Sequence, residues 1–446
     1  MGDMASTNEA VAALLREYAE LVTMTGGDQF RARNYEKAAK AVGGYPDDIG
    51  ALPDSALTRI PGVGSSIAGK IAEYRRTGTI AALEELRAKL PPGVLQIAKV
   101  PGLGPKKALQ LSRELGIASV ADLEDAVRQG RLRRLSGFGG KTEERILRGI
   151  TVITRDAAIR DALRALPPQP GEEQIEQVLA AQLGIRGMTA TGETARSRGT
   201  VRADGLIEMK DLRGDLHTHT SLTDGIASLG EMVAAARARG YAYYAVTDHA
   251  PNLVMQRMTD EKMLAQRAEV RAMEAGAGLA LLHGTELNIA PDGTVDWAAD
   301  FLSGFDIRVA SVHSHFDQDR EVMTKRFVAA AENPYVNIIG HPLTRKLGRR
   351  PPVDVDLDEL YRVCARTGTA LEINASPNRM DLPPEHIAAA KSAGVKFSID
   401  SDAHSLVDLN NMPYGVAAAR VGGLTSADVI NGWPLEKLEE FLRKDR

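Results

Sequence analysis

From Thr7 to about Arg164, apolar residues recur at helical spacing, as in NEAVAALLREYAELVTM, and β-branched clusters are sparse. Gly and Pro interrupt this stretch often, which predicts many short helices. From Leu166 to about Met209 the rhythm loosens. A helix-like run, EEQIEQVLAAQLGI, precedes GMTATGETARSRGTVRADG, whose Gly, Thr, Ser and Arg content reads as linker. Beyond Asp211, short apolar strands alternate with amphipathic helices: YYAVTDH, LALLHGTEL, IRVASVHS, NIIGHP, ALEINAS and KFSIDSDAH. That alternation predicts βα units around a parallel sheet or barrel. Every one of these strands ends in a polar residue able to bind a metal or a phosphate. Active sites of βα barrels lie at the C-terminal strand ends.

Bulk properties narrow the class. With 446 residues, two or three units are expected. No apolar run is long enough for a membrane span, and MGDMASTNEA has neither the basic start nor the apolar core of a signal peptide. A single cysteine, Cys364, excludes an internal disulfide framework and fits a reducing compartment, so we expect a cytoplasmic protein. The net charge of −4 argues against a general nucleic-acid binder, but it is unevenly spread. Residues 1–165 carry a net +5 and the remainder −9, as two separate jobs would require.

All nine histidines fall at or after 217. His217 and His219 are an i, i+2 pair, which on a strand shares one face. Asp224, Asp248-His249, Glu286, His313, His341 and Asp402-Ala-His404 follow at successive strand ends. Mixed imidazole and carboxylate ligation suits Zn²⁺, Mn²⁺ or Fe²⁺, and the absence of thiolates argues against a structural zinc site. So many ligands suit two or three bridged ions, which activate water and stabilise charge on a phosphoryl oxygen. The chemistry is expected around His217, His219, Glu286, Asp402 and His404. His386, in PEHIAAAKSAG, reads as a surface residue. His283 and His315 stand beside ligands, but strand parity could turn either away.

GDLHTHTSLTDG, VTDHA, GTELNI, SVHSHF, GHP, LEINASPNRMDLP and SIDSDAH resemble the motifs of a PHP (polymerase and histidinol phosphatase) domain over roughly 211–440. The resemblance implies a distorted seven-stranded βα barrel, TIM-like, holding up to three ions. One ion would take His217, His219, Glu286 and Asp402. A second would share Glu286 and add His313 and His341, and a third would take Asp224, His249 and His404. Arg345, Arg349 and Arg379 follow ligand-bearing strand ends, as substrate-phosphate clamps do in similar proteins. Asn374 is a further candidate substrate contact.

Three segments of the front half share a pattern: Ile60-PGVGSSIAGKIAEY, Val100-PGLGPKKALQLSREL and Leu135-SGFGGKTEERIL, the last being the least regular. Each places a G-x-G turn before a helix, where glycines (Gly62 and Gly64; Gly102 and Gly104) allow a tight turn and free amides can hold a phosphate oxygen. Lys70, Lys106, Lys107 and Lys141 would add charge contacts to the same strand, without reading sequence. These resemble helix-hairpin-helix motifs, and residues 6–150 are similar to the lyase-type and fingers domains of family X DNA polymerases. In that family the first hairpin carries a Schiff-base lysine, whose place Lys70 takes. Ser66 and Ala82 stand where further lysines are usual, which counts against lyase activity.

Bacterial family X polymerases insert a palm and thumb before the PHP domain. Here about 45 residues separate Leu166 from Asp211, with no paired aspartates in the expected setting. Polymerase activity is therefore not expected. We divide the chain into a lyase-type helical domain (1–85), a fingers-like helical domain (86–165), a linker (166–210) and a PHP phosphoesterase domain (211–446). The expected function is a DNA-binding phosphodiesterase using two or three divalent ions, Mn²⁺ or Zn²⁺ with Fe²⁺ as an option. It would act as a 3′–5′ exonuclease or 3′-end-processing enzyme on single-stranded, gapped or 3′-ended DNA, away from membranes. The alternatives are a small-molecule phosphatase of the histidinol-phosphatase type and a non-enzymatic DNA-binding protein.

Overall fold

The computed structural model describes residues 7–45, 47–100, 103–182, 205–253 and 256–444, the side chain of Lys141 excepted. The chain forms two compact units, Met1–Asp156 and Ala157–Arg446.

The first unit is entirely helical among its described residues. Helices Thr7–Met24 and Gln29–Gly43 pack through Val11, Leu15, Ala38 and Ala39, and the rings of Tyr18 and Tyr35 stack with centroids 4.1 Å apart. The second helix starts at Asp28, whose carboxylate accepts the Phe30 N–H and so satisfies one open amide of the first turn. The three repeated segments close in the same way. The N–H of Val63 donates to Ile60 O (3.0 Å), that of Leu103 to Val100 O (3.1 Å) and that of Phe138 to Leu135 O (3.3 Å). Val63, Leu103 and Phe138 are buried, so each turn is anchored by a residue one or two positions before its helix, Ser65–Thr77, Gly104–Leu115 or Gly140–Arg164. Gly62 has φ +80°, a left-handed conformation that disfavours side chains.

The second unit is an α/β barrel. Seven parallel strands run in sequence order: β1 (Gly214–Asp215), β2 (Tyr243–Val246), β3 (Ala280–Asn288), β4 (Ile307–Ser311), β5 (Ile338–Ile339), β6 (Ala370–Asn374) and β7 (Phe397–Asp400). Between β7 and β1 the ring is nearly closed. Thr218 and Ala403 form a parallel bridge at the C-terminal end of this seam. Lower down, Asn431 replaces a missing strand contact. Its Nδ2 donates to Gly214 O (2.9 Å) and Ile399 O (2.6 Å), and its Oδ1 accepts from the Ile399 N–H (3.0 Å). Ile430, Trp433, Leu438 and Leu442 pack with Leu216, Tyr243, Val309 and Ile338 from the strands.

The stretch expected as linker is in part structural. Helix Glu172–Gln182 buries Ile175 and Leu179 in the same core as Leu371, Ile399 and Val416 of the barrel. Glu176 is ion-paired with Arg420, whose Nη1 also donates to Ile207 O (3.1 Å). Apolar periodicity in EEQIEQVLAAQ thus serves barrel packing rather than a tether. Residues 183–204 lie outside the described part.

Parity on β3 decides the role of His283. Glu286 faces the barrel mouth, while His283 faces the other way and stacks on Phe305 with centroids 5.2 Å apart. Both of its ring nitrogens are buried without a hydrogen-bond partner. Burial, reinforced by Arg267 and Arg271, pushes its pKa down to about 3. Since an unfolded histidine titrates near ~6.5, the unfolded chain takes up a proton that the folded one refuses between pH 6.5 and 3. Stability is therefore lost as pH falls through that window, by roughly 1.4 kcal/mol per unit. Urea unfolding at pH 7 and pH 5 should show His283→Leu losing about 2 kcal/mol less than wild type over this interval. Equal losses would show that His283 is not the acid-sensitive group.

Candidate metal centre

Ligand-type side chains converge from the C-terminal ends of the strands onto Glu286. Its Oε1 lies 3.1 Å from both His313 Nε2 and His341 Nε2. Its Oε2 lies 2.9 Å from His249 Nδ1 and 3.5 Å from the Nε2 atoms of His217 and His219. On one side, His219 Nε2 approaches Asp402 Oδ1 at 3.3 Å. On the other, Asp224 Oδ1 faces His249 Nε2 (3.3 Å) and His404 Nε2 (3.2 Å). Three groups could each hold a divalent ion: His217, His219 and Asp402; His249, Glu286 and His313; and His219, Asp224, His249 and His404. The nine expected ligands therefore come together. The grouping differs from the expected one: the first group lacks Glu286, His249 stands in the second group where His341 was expected, and His219 also faces the third.

The donor chemistry fits such ions. Glu286 Oε2 is buried and accepts no hydrogen bond although three imidazole nitrogens surround it. His217 Nε2 and His219 Nε2 face each other at 3.2 Å, an arrangement that a shared cation relieves. Several imidazoles are fixed through the other ring nitrogen. His217 Nδ1 is 2.6 Å from Glu372 Oε1, His313 Nδ1 is 2.8 Å from Asn288 Oδ1, and His404 Nδ1 is 2.7 Å from Asp402 O. Such partners set the tautomer and aim the free nitrogen at the ion. Two ligands sit in the left-handed region, His341 at φ 28° and Asp402 at φ 51°, where strain persists only if the surroundings hold it. Gly340 before His341 is required by close approach, since a Cβ there would lie 2.3 Å from Ser311 Oγ.

Charge is divided unevenly within the cluster. Burial opposes a charge on His217, but Glu372, Glu286 and Asp402 outweigh it and hold its pKa well above the usual value. Burial likewise opposes a charge on His249, yet Asp224 and Glu286 lift it to about 10. His219 is pushed well below normal by burial and then by His404 and His249, and His341 falls to about 3 through burial and then Arg379. Burial would raise Glu286, but His313, His217 and His249 hold it well below the carboxylate range.

The other expected contacts divide. Arg379 reaches the cluster, its Nε 3.4 Å from Asp402 Oδ2. Arg345 does not act as a clamp. It is buried, and its guanidinium donates to the carbonyls of Arg379 and Met380, which fixes the turn that presents Arg379. Asn374 is also buried, with Nδ2 donating to Asp402 Oδ2 (3.0 Å) and Glu372 Oε2 (3.2 Å), so it orients a ligand instead of facing solvent. Arg349 is half-buried on the loop after His341, and His315 is exposed on the loop after His313. Lys106 and Lys107 lie in the first turn of their helix, and Gly64 precedes the helix beginning at Ser65. Gly104 has φ +62°. Lys70 Nζ lies 5.8 Å from the ring centroids of both Tyr18 and Tyr35. Gly102 and the side chain of Lys141 are outside the described part. Glu372 is a functional residue that the sequence reading passed over. It shares strand parity with Asn374 on β6.

The class of the chain follows from this geometry and from its relatives. Residues 215–376 match the PHP domain family, residues 6–80 a helix-hairpin-helix domain, and residues 54–115 and 94–150 a SAM-like helix-hairpin-helix tandem. The barrel thus carries the match to the PHP domain family, and the front half carries the matches to helix-hairpin-helix families. The chain is 28% identical to the DNA polymerase/3′-5′ exonuclease PolX of Bacillus subtilis (strain 168), over 98% of this chain and 99% of that protein. A probable phosphatase of Thermoanaerobacter sp. (strain X514) is 28% identical over 52% of this chain and 95% of its own length. A crystal structure of histidinol phosphate phosphatase from Lactococcus lactis, complexed with zinc, L-histidinol and phosphate, covers 46% of this chain and 93% of its own. Its identity is 17% and its TM-score 0.33, too weak a likeness to carry argument.

Two outcomes test the centre. Glu372→Gln should weaken divalent-ion binding on the order of 10–100-fold by titration calorimetry, as loss of a ligand-orienting partner does. An unchanged affinity would deny Glu372 that role. Ion uptake should also release protons at pH 7.5, because His249 holds one below about pH 10 and must lose it to ligate. Apparent affinity should then rise with pH through neutrality, and binding heats should vary with the ionisation enthalpy of the buffer. Buffer-independent heats would contradict this.

Proposed function

We propose that the chain is a cytoplasmic DNA-processing phosphodiesterase, a 3′–5′ exonuclease or 3′-end-cleaning enzyme without polymerase activity. The observation that supports this reading is the convergence of imidazoles and carboxylates on Glu286 in a chain whose front half bears three G-x-G turns before helices. Two or three ions, Mn²⁺ or Zn²⁺, would be held by the groups around Glu286. Bound there, they would activate water and neutralise charge on the phosphoryl oxygens. Arg379, beside Asp402, would bind and orient the substrate phosphate. The hairpin amides would position the DNA backbone of a single-stranded, gapped or 3′-ended substrate. In support of the missing polymerase core, the alignment with the Bacillus relative runs over 566 positions, at least 120 more than this chain has residues.

A small-molecule phosphatase is the second reading, favoured by the probable phosphatases that match 52% of this chain.

The deciding assay follows nucleotide release from 5′-labelled single-stranded and gapped DNA with Mn²⁺. Wild type should give a 3′-to-5′ ladder that His217→Ala and Asp402→Ala both abolish. Absence of a ladder, with turnover of a phosphomonoester, would establish the phosphatase reading instead.

A further inference from the structure

We propose that Arg350 holds the phosphate adjoining the scissile one in a polynucleotide, so that the barrel favours chain substrates over isolated phosphate esters. This rests on the phosphodiesterase reading above and names a specificity residue within it.

Arg350 is placed by three constraints. Its guanidinium carbon lies 4.1 Å from the ring centroid of Phe316, which is three residues beyond the ligand His313. Its Nε donates to Thr344 O at 2.6 Å, on the loop that follows the ligand His341. Its backbone pairs in antiparallel fashion with Lys346. The ring covers one face and Nε is used, but the two Nη nitrogens have no partner among the described residues. The loop bearing Arg350 is tied to the turn bearing Arg379, the Leu347 N–H donating to Asn378 O at 2.8 Å. Arg379 turns its Nε to Asp402 and leaves a buried Nη1 without a hydrogen bond. Burial, followed by the nearby charge of Arg379, pushes the Arg350 pKa down to about 9. Asp381 is the opposing carboxylate near both, but its oxygens already accept the Leu343 N–H, and Arg345 also faces it.

Two like charges held together in a half-buried rim are unfavourable until an anion comes between them. Fixed forks with free N–H groups are suited to phosphate oxygens. Arg379 touches a ligand, so it belongs to the phosphate under attack. Arg350, held against Phe316 three residues beyond His313, is the group we assign to a second phosphate of the same strand. An isolated ester has no group to put there.

The test compares wild type, Arg350→Met and Arg350→Lys with Mn²⁺ on a single-stranded oligonucleotide and on thymidine 5′-(p-nitrophenyl) phosphate, a diester with no adjoining phosphate. Arg350→Met should raise KM for the oligonucleotide about tenfold, as loss of one charged contact does, with kcat kept. The salt dependence of log kcat/KM should fall in slope by about 0.7, the value for one phosphate on a single strand. The small diester should be cleaved as by wild type, which also shows that the variant is folded, and Arg350→Lys should recover part of the KM. Equal losses on both substrates, or an unchanged oligonucleotide KM, would overturn the proposal. If wild type itself fails to degrade the oligonucleotide while cleaving a monoester, the phosphodiesterase reading falls and this assignment falls with it.

Discussion

Glu286 is one carboxylate set among five imidazoles. Two imidazoles face its Oε1 and three its Oε2, all in the buried mouth of the barrel. An isolated buried carboxylate is expensive, and so is a buried unpaired imidazolium. Their packing is tolerable because each compensates the other, and the same geometry becomes a donor set when protons give way to ions. The position of Glu286 is set by the sheet. β3 is the longest strand, and Glu286 is in register with Val309 of β4 and bridged to His249 after β2. A slip of one residue would turn the carboxylate toward the helices, where His283 now lies.

Around this centre, the fold supplies fixed partners. Glu372 from β6 and Asn288 from β3 each occupy one nitrogen of a ligand imidazole, and the Asp402 carbonyl does the same for His404. Asn374 holds Asp402 by an oxygen, and the Arg345 guanidinium ties down the turn bearing Arg379. Arg345 and Asn374, which look like substrate contacts in sequence, thus make their hydrogen bonds to the turn bearing Arg379 and to the carboxylates of the cluster. The left-handed backbone at His341 and Asp402 is retained because hydrogen bonds from both sides fix it, including His341 N–H to Glu372.

Much of this was legible beforehand, and the reasons differ by residue. The ligands could be read because each falls at a strand end, where the alternation of strand and helix delivers side chains to a single mouth. The seven-stranded barrel followed from that alternation together with the resemblance of the motifs. His283 could be left open but not decided, since parity depends on the register of β3. The roles of Arg345 and Asn374 were not readable, because a guanidinium bonded to carbonyls and one aimed at substrate have the same sequence context. The helix Glu172–Gln182 was visible as a periodic run. Its docking on the barrel was not, because the partner face, near Val416 and Arg420, lies more than 200 residues away.

The donor set around Glu286 does not by itself choose a substrate. Water activation and charge neutralisation serve a phosphomonoester and a phosphodiester alike, and the barrel is aligned both with PolX and with probable phosphatases. Discrimination therefore has to come from groups that contact the rest of the substrate, since only interactions beyond the shared phosphoryl centre differ between the two classes. The chain offers two such sets. On the proposed reading, the rim arginines would recognise charge next to the centre, and the three hairpins would recognise a repeating backbone. If the three turns each hold a phosphate, as proposed, they have no use on a ligand with a single phosphate, and a polymeric substrate is the one they would serve.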